Sequence, residues 1–480
     1  MKKLQNYIDG KFLDPLCGQF IDNIEPATGK VYSYIPDSDE QDVALAVTAA
    51  EKAFPVWSKM STEERSQILV RLSEGIQNRM DEFVQAEAKD NGKPVTLAAH
   101  VDIPRAVSNF HFFATAITHF SSESHYMEGM GLNYTLRKPI GVVGCISPWN
   151  LPLYLFSWKI APALAAGNCV IAKPSEITPY TAYLLGEVAK EAGLPDGVLN
   201  ILHGLGHRVG DAIIKHPKIK AISFTGGTKT GEYIARTAAP MFKKLSLELG
   251  GKNPVIIFAD CDFDEMLSTT IRSSFANQGQ ICLCGSRILV ERSIYDKFKE
   301  AFVAKVAKSV VSFPSDPKAN LGAVVSKPHM EKILSYIELA KEEGGTILTG
   351  GERVFLDAPY QDGYYIRPTV IEGLAFDCRT NQEEIFGPVV TIAPFDTEEE
   401  ALMMANSTQY GLQTTLWTSD LKRAHRIADE AQSGIVWINS WLVRDLRTPF
   451  GGVKASGVGR EGGLEALRFF TEAKNVFVKY

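Results

Sequence analysis

No apolar run in this 480-residue sequence is long enough to cross a bilayer, which takes about 20 consecutive apolar residues. The start, Met1-Lys2-Lys3-Leu4-Gln5-Asn6-Tyr7-Ile8-Asp9-Gly10, has two lysines but no apolar segment behind them, so no secretory leader is expected. Basic charge is not in excess. With 50 Lys and Arg against 56 Asp and Glu, the formal net charge is −6, the wrong balance for a nucleic-acid-binding face. Cysteine is scarce, odd in number and scattered: Cys17, Cys145, Cys169, Cys261, Cys282, Cys284 and Cys378. That pattern suits reduced thiols in the cytoplasm better than a disulfide framework. The 9 histidines are scattered too. Cys282 and Cys284 form a close pair without further ligands of the right type, so no metal site is expected. Tandem repeats and low-complexity linkers are absent, which leaves the domain boundaries soft. What remains, 45% hydrophobic and 22% charged, is an ordinary globular balance, long enough for two or three domains.

Taken in order, residues 1–36 alternate short apolar runs with turn residues, which predicts antiparallel strands and a hairpin. Residues 39–120 read as successive amphipathic helices, one opened by the cap-like Ser61-Thr62-Glu63-Glu64. Extended segments return over 121–139. From Gly141 the rhythm is α/β: apolar runs 141–146, 170–173, 198–202 and 221–224 alternate with helical segments 151–166, 178–192, 208–215 and 228–238. Continuous Val, Ile and Ala strands between helices predict a parallel sheet covered on both faces. A second α/β series begins near Gly251, with strands expected at 254–258, 286–290, 369–372, 389–394, 414–417 and 435–439. The last residues, 469–480, alternate as one more strand. Ligands on parallel sheets bind at the carboxyl ends of strands. Asn150, Lys173, Gly204, Gly206 and Gly226 all follow such ends.

The chemistry centres on Asn277-Gln278-Gly279-Gln280-Ile281-Cys282-Leu283-Cys284-Gly285-Ser286-Arg287. A cysteine among glycines and small polar residues is reachable, and free backbone N–H groups near it favour the thiolate. A buried packing residue explains a lone cysteine equally well. In Leu245-Ser246-Leu247-Glu248-Leu249-Gly250-Gly251-Lys252 a single carboxylate sits in an apolar run. Desolvation raises such a carboxyl toward general-base range. Alone, Glu248 also reads as a helix-end or surface carboxylate. Gly204-Leu205-Gly206-His207-Arg208-Val209-Gly210 has one residue too many for the dinucleotide fingerprint. In Phe224-Thr225-Gly226-Gly227-Thr228-Lys229-Thr230-Gly231, the following Glu232 excludes a phosphate-binding P-loop, although a glycine turn at a helix start still favours an anion.

Glu-Leu-Gly-Gly-Lys followed by Gly-Gln-x-Cys and Gly-Ser-Arg resembles the aldehyde dehydrogenase superfamily. So do Pro148-Trp149-Asn150, Lys173-Pro174-Ser175-Glu176, Glu383-Glu384-Ile385-Phe386-Gly387-Pro388 and Pro449-Phe450-Gly451-Gly452, in the family's order over almost the whole chain. The resemblance implies an NAD-binding domain from 1–120 and 140–250 on a Rossmann-type parallel sheet, and a second α/β catalytic domain over 251–455. It also implies oligomerisation strands at 121–139 and 466–480, hence a homodimer or homotetramer. Cys282 would be the nucleophile, Glu248 the base that activates water, and the Asn150 amide, with the Cys282 N–H, the oxyanion donor. Ile146, Trp149, Lys173, Glu176, Gly206, Gly210, Phe224, Gly226, Gly227, Leu249, Glu384 and Phe386 would hold the cofactor. Glu176 after the second strand favours NAD over NADP, because a carboxylate accepts from the ribose 2′-OH and repels a 2′-phosphate. Gly227 stands where the family usually has Ser.

The stretches around Arg105 and Arg444 resemble the 2-aminomuconate and 2-hydroxymuconate semialdehyde dehydrogenases. There, two arginines hold the substrate carboxylate, a task suited to the planar guanidinium. Arg447 is the alternative for that task, but it reads better as a structural partner of Asp445 or of backbone carbonyls. The expected activity is NAD-dependent oxidation of such a semialdehyde to the acid, with no metal, nucleic acid or membrane. Rival readings are a broad-specificity aldehyde dehydrogenase, a CoA-acylating relative, which an intact Glu248 opposes, and a non-catalytic protein on the same fold.

Overall fold

Strands Val142–Ile146 and Cys169–Lys173 are buried at every residue, as apolar runs must be when helices cover both faces of a sheet. A computed structural model describing residues 1–480 places them inside an eight-stranded sheet. Its order is Gly457–Val458, Lys244–Glu248, Ile219–Thr225, Val142–Ile146, Cys169–Lys173, Leu199–Ile201, Asn6–Ile8, Lys11–Leu13. The five strands from Lys244–Glu248 to Leu199–Ile201 are parallel, and antiparallel strands close both edges. Helix Pro152–Ala165, apolar but for Ser157 and Lys159 near its middle, is buried along its whole length, so it can only be a core helix.

A second sheet of seven strands follows, in the order Thr346–Thr349, Thr369–Glu372, Val389–Phe395, Gly285–Glu291, Asn253–Ile257, Gln413–Trp417, Ile435–Ile438. It is parallel except at its first edge. Both sheets are thus α/β, as the alternation of strands and helices predicts. The C-terminal strand Thr471–Lys479 pairs antiparallel with Gly131–Pro139 of the same chain, and that strand pairs with Ser124–Met127. The expected strand over 466–480 is shortened, because Gly463–Phe469 is a helix that buries Ala466 and Leu467.

Local signals account for several elements. Ser61 Oγ accepts the Glu64 N–H while Glu64 accepts the Ser61 N–H, a reciprocal cap at the start of Thr62–Asn78. Asp9 and Gly10 turn the hairpin Asn6–Ile8/Lys11–Leu13 with φ of 51° and 72°, the left-handed pair that a two-residue hairpin needs. Phe20–Glu25 and Lys30–Pro36 form the second hairpin, but Lys2–Lys3 joins it parallel rather than antiparallel. Residues Ala98–Asp102 are π-helical, a widening of the helix just before Ile103–Ala116, which carries Arg105. Helix Lys327–Glu342, begun by Ser326 and Pro328, lies outside the expected segments. No helix is long and apolar enough to cross a membrane.

Candidate active site

The carboxyl edge of the first sheet sets the frame. Lys173 pairs in register with Ile146, Ile146 with Phe224, and Thr225 with Glu248. Four strands therefore release these residues at one level. Gly226 then turns back, its N–H donating to the Glu248 carbonyl at 3.0 Å. A side chain on Gly226 would stand 2.4 Å from the Phe224 ring, so only glycine fits there.

The cysteine loop is held by amides. After helix Phe263–Phe275 the chain puts two consecutive non-glycine residues, Asn277 and Gln278, in the left-handed region at φ of 52° and 57°. Such positions cost about 1–3 kcal/mol each and persist only where the surroundings fix them. Asn277 Nδ2 donates to the Asn150 carbonyl at 2.9 Å, and Gln278 Nε2 donates to Ala323 O at 3.0 Å. Gln280 Oε1 accepts the Val325 N–H at 3.0 Å. The Cys282 carbonyl accepts from Asn253 Nδ2 at 2.7 Å, while its N–H has no acceptor within the protein.

The Asn150 peptide is fixed from the other side. Its carbonyl also accepts from Asn91 Nδ2 at 3.3 Å and from the fully buried Lys93 Nζ at 3.2 Å. Lys93 in turn is paired with Asp102, at the start of the Arg105 helix, and faces Glu87 at 3.8 Å. The Asn150 amide gives one N–H to Gln280 O at 3.0 Å and keeps a second donor. Replacing Asn277 by Ala is expected to lower stability by about 1–3 kcal/mol, through lost hydrogen bonds and a β-carbon held at positive φ. The turnover number should fall with it. Asn277→Gly keeps the permissive backbone but not the amide. Thermal melts and initial rates on both separate the two causes: full activity in the glycine variant would mean that the amide positions nothing.

Cys282 lies where two cavities meet. The larger, about 520 Å³, is lined by Cys282, Glu248, Arg105, Arg444, Tyr154 and Phe450 among others. The smaller, about 190 Å³, is lined by Cys282, Asn150, Trp149, Gly226, Gly227, Leu249, Glu384 and Phe386, with His329 and Lys332. Cys284 points away. It is buried in an apolar cluster with its Sγ toward Ala276 O, and burial pushes its thiol up to about 12, so it is a packing residue.

The electrostatics correct one expectation. The setting of Cys282 does not favour a thiolate in the protein alone. Desolvation pushes the thiol well above its ordinary value, the Glu384 and Glu248 carboxyls add to this, and Arg444 opposes it. The sequence shows the glycines around the cysteine but not the elements that bury it. Glu248 behaves as expected. It is buried, neither carboxyl oxygen has a hydrogen-bond partner, and desolvation together with the Glu461 charge raises it well above the carboxylate range. Glu461 is itself held by Lys159 Nζ at 2.7 Å and Ser223 Oγ at 3.1 Å.

The two arginines converge. Arg444 Nη1 is 3.1 Å from Tyr154 Oη, and its guanidinium lies 4.0 Å over the Phe450 ring. The Arg105 guanidinium lies 5.9 Å from the centre of the Tyr154 ring. Neither is paired with a carboxylate, whereas Arg447 is paired with Asp445 at 2.5 Å.

Ile146, Lys173, Glu176, Gly206, Gly210 and Phe224 lie along the sheet edge and line neither cavity. Burial raises the Glu176 carboxyl, but Lys173 Nζ at 2.9 Å and hydrogen bonds that include the Gly206 N–H outweigh it and hold it low. Helix Thr228–Ala238 starts at Gly227 without a side-chain cap, and no atom lies within 4 Å of where a Gly227 side chain would begin. Uncapped N–H groups at an open helix start fit a pyrophosphate. An edge of this shape, ending in aromatic rings beside a thiol, fits a dinucleotide. Glu384 Oε1 accepts the Gly251 N–H at 2.8 Å, and a side chain on Gly250 would stand 2.4 Å from its other oxygen. His329, whose ring nitrogen is 2.7 Å from the Phe386 carbonyl, and Tyr154 belong to the site without any local motif to announce them.

A cysteine, a buried carboxylate and an amide around one point, beside an edge fit for a dinucleotide, define a thiol-dependent oxidoreductase of aldehydes. The aldehyde dehydrogenase family model matches residues 15–476, and the chain belongs to that family. It is 52% identical to the 2-aminomuconic semialdehyde dehydrogenase of Danio rerio, over 99% of this chain and 98% of that protein. It is 48% identical to the 2-hydroxymuconic semialdehyde dehydrogenase of Pseudomonas sp. strain CF600, over the full length of both. Among solved structures, the NAD+ complex of an aldehyde dehydrogenase from Bacillus cereus has a TM-score of 0.96 at 39% identity, covering 99% of this chain and 96% of that one.

Proposed function

We propose that this enzyme oxidises a semialdehyde with a carboxylate at its far end, of the 2-aminomuconate or 2-hydroxymuconate semialdehyde type, to the dicarboxylic acid. Cys282 Sγ attacks the aldehyde carbon, and its proton leaves to water. The developing oxyanion is met by the free Asn150 donor and the unpaired Cys282 N–H. When bound, NAD would supply the hydride acceptor, with Trp149, Glu384 and Phe386 to hold its ring end and Lys173 and Glu176 its adenosine ribose. Oxidation leaves a thioester on Cys282. Glu248 takes a proton from water, and the hydroxide displaces the thiolate as the acid forms. The ionised Glu176 supports NAD over NADP, since it would repel a 2′-phosphate. The exposed strand Ser124–Met127 at the edge of the small sheet supports assembly into a homodimer or homotetramer, and the free cysteines support a cytoplasmic setting.

The observation that carries the substrate class is the pair of arginines without carboxylate partners in the thiol's own cavity. A substrate carboxylate desolvated there needs a fixed cation. Arg444→Ala is expected to lower kcat/KM for 2-hydroxymuconate semialdehyde by at least about 2 kcal/mol, as when one partner of a buried charge pair is truncated. A neutral aldehyde of similar length should be used almost normally. Arg444→Lys should recover only part, because an ammonium lacks the planar fork. Equal loss on both substrates, with a lower melting temperature, would make Arg444 a brace for its loop and remove the substrate assignment.

A further inference from the structure

Beyond the substrate cavity lies a second one that the chemistry above does not use. It has a volume of about 640 Å³ and shares Leu97, His100, Val101, Arg272 and Ala276 with the inner cavity, so the two adjoin. Its charged lining is of one sign. Arg272, from helix Phe263–Phe275, and Lys305 and Lys308, at the end of helix Arg292–Val306, all face it, and no Asp or Glu does. His100 turns its Nδ1 back to Thr96 O at 2.7 Å and presents the rest of its ring. All three cations are exposed. Lys299 on the same helix pairs with Asp296 and Glu372, yet Arg272, Lys305 and Lys308 pair with no carboxylate. In a chain with a net charge of −6, an acid-free cavity with three unpaired cations is a local inversion of the protein's charge.

We propose that this outer cavity is an anion vestibule that captures the carboxylate of the incoming semialdehyde and feeds it to Arg105 and Arg444. Like-signed charges in a concave wall focus the field and raise the local concentration of an oppositely charged ligand, by about 10- to 1000-fold in encounter rate. Arg272 lines both cavities, so positive charge continues from the mouth toward the inner clamp. Of the three carboxyls that line the inner cavity, Asp102 is paired with Lys93, Glu461 is paired with Lys159, and Glu248 is buried. The vestibule rests on the semialdehyde reading, but its residues are separate from the clamp and can be tested apart from it.

The test compares the NAD-loaded enzyme with a triple variant, Arg272→Gln, Lys305→Gln and Lys308→Gln. A control triple variant removes three exposed lysines elsewhere, Lys52→Gln, Lys59→Gln and Lys190→Gln. Substrates are 2-hydroxymuconate semialdehyde and a neutral aldehyde of similar length, over a range of roughly 0.02 to 0.3 M salt. For the native enzyme, kcat/KM on the anionic substrate should fall several-fold with salt and stay flat on the neutral one. The vestibule variant should lose about 10-fold in kcat/KM at low salt on the anionic substrate only, with kcat unchanged and the salt slope flattened. The control should behave as the native enzyme does. A native kcat/KM and salt slope in the vestibule variant would overturn the proposal even while Arg444→Ala still discriminates. Equal effects in both triple variants would overturn it as well, by assigning the slope to net charge. A native enzyme with no preference for the anionic aldehyde would remove the semialdehyde reading itself.

Discussion

Cys282→Ala forms no NADH from any aldehyde and still binds NAD with little change: that is the largest effect expected of a single substitution here. Of the side chains that line both cavities, only Cys282 and Thr225 carry a nucleophilic atom, and a thiol is much the stronger nucleophile. The sheet edge that fits the dinucleotide is built from other residues. Cys284→Ala is the matched control. Its sulfur is turned to Ala276 O in an apolar cluster, so its loss should cost stability and leave activity. Activity in the Cys282 variant and none in the Cys284 variant would reverse the assignment. The raised thiol adds a second measurement. Because burial and two carboxyls hold Cys282 in its protonated form, alkylation by iodoacetamide should be slow at neutral pH and climb as pH rises. Arg444→Ala should slow it further, since that guanidinium is the charge that favours the thiolate. Fast, pH-independent alkylation of the free enzyme would mean that the thiolate is already formed.

Much of the architecture is legible because it rests on local rules. The period of apolar runs and helices distinguishes buried parallel strands from the half-exposed N-terminal hairpins, and the Ser61–Glu64 cap can be read from four residues. Cys282 and Glu248 can be singled out by chemical type and glycine-rich neighbours, and the fold brings both to one cavity. What escapes such reading is set by distant partners. Nothing near Tyr154 says that two arginines from opposite ends of the chain meet on it. The stretch Asn277-Gln278-Gly279-Gln280 shows its amides. Their purpose, to hold a left-handed pair of residues against Asn150 and the 322–325 segment, needs the assembled fold. The thiol misleads for the same reason: its glycines suggest access, whereas elements far along the chain desolvate it.

Glu248→Gln should split the reaction in two. The amide cannot take a proton from water, so the thioester on Cys282 forms and then waits. The expected trace is a burst of NADH near one equivalent per active subunit, then a steady phase slower by about 10²- to 10⁴-fold, the usual contribution of a positioned general base. The isosteric change leaves the cavity its volume. The neighbouring glycine, Gly451, already stands so close that a side chain there would lie 2.7 Å from Glu248 Oε1, so a larger replacement would confuse shape with chemistry. The pH dependence carries a sign. Glu248 works as a base only when ionised, and burial beside Glu461 raises its pKa well above the ordinary range. Steady-state turnover limited by deacylation should therefore rise with pH along a limb displaced above the ordinary carboxylate range, and the variant should lose that limb. Removing the neighbouring charge by Glu461→Gln should move the limb to lower pH, because the like charge that holds Glu248 protonated is gone. If instead Glu248→Gln slowed burst and steady phase equally, the carboxylate would be taking the proton from Cys282 rather than from water, and the deacylating base would have to be sought elsewhere in the cavity.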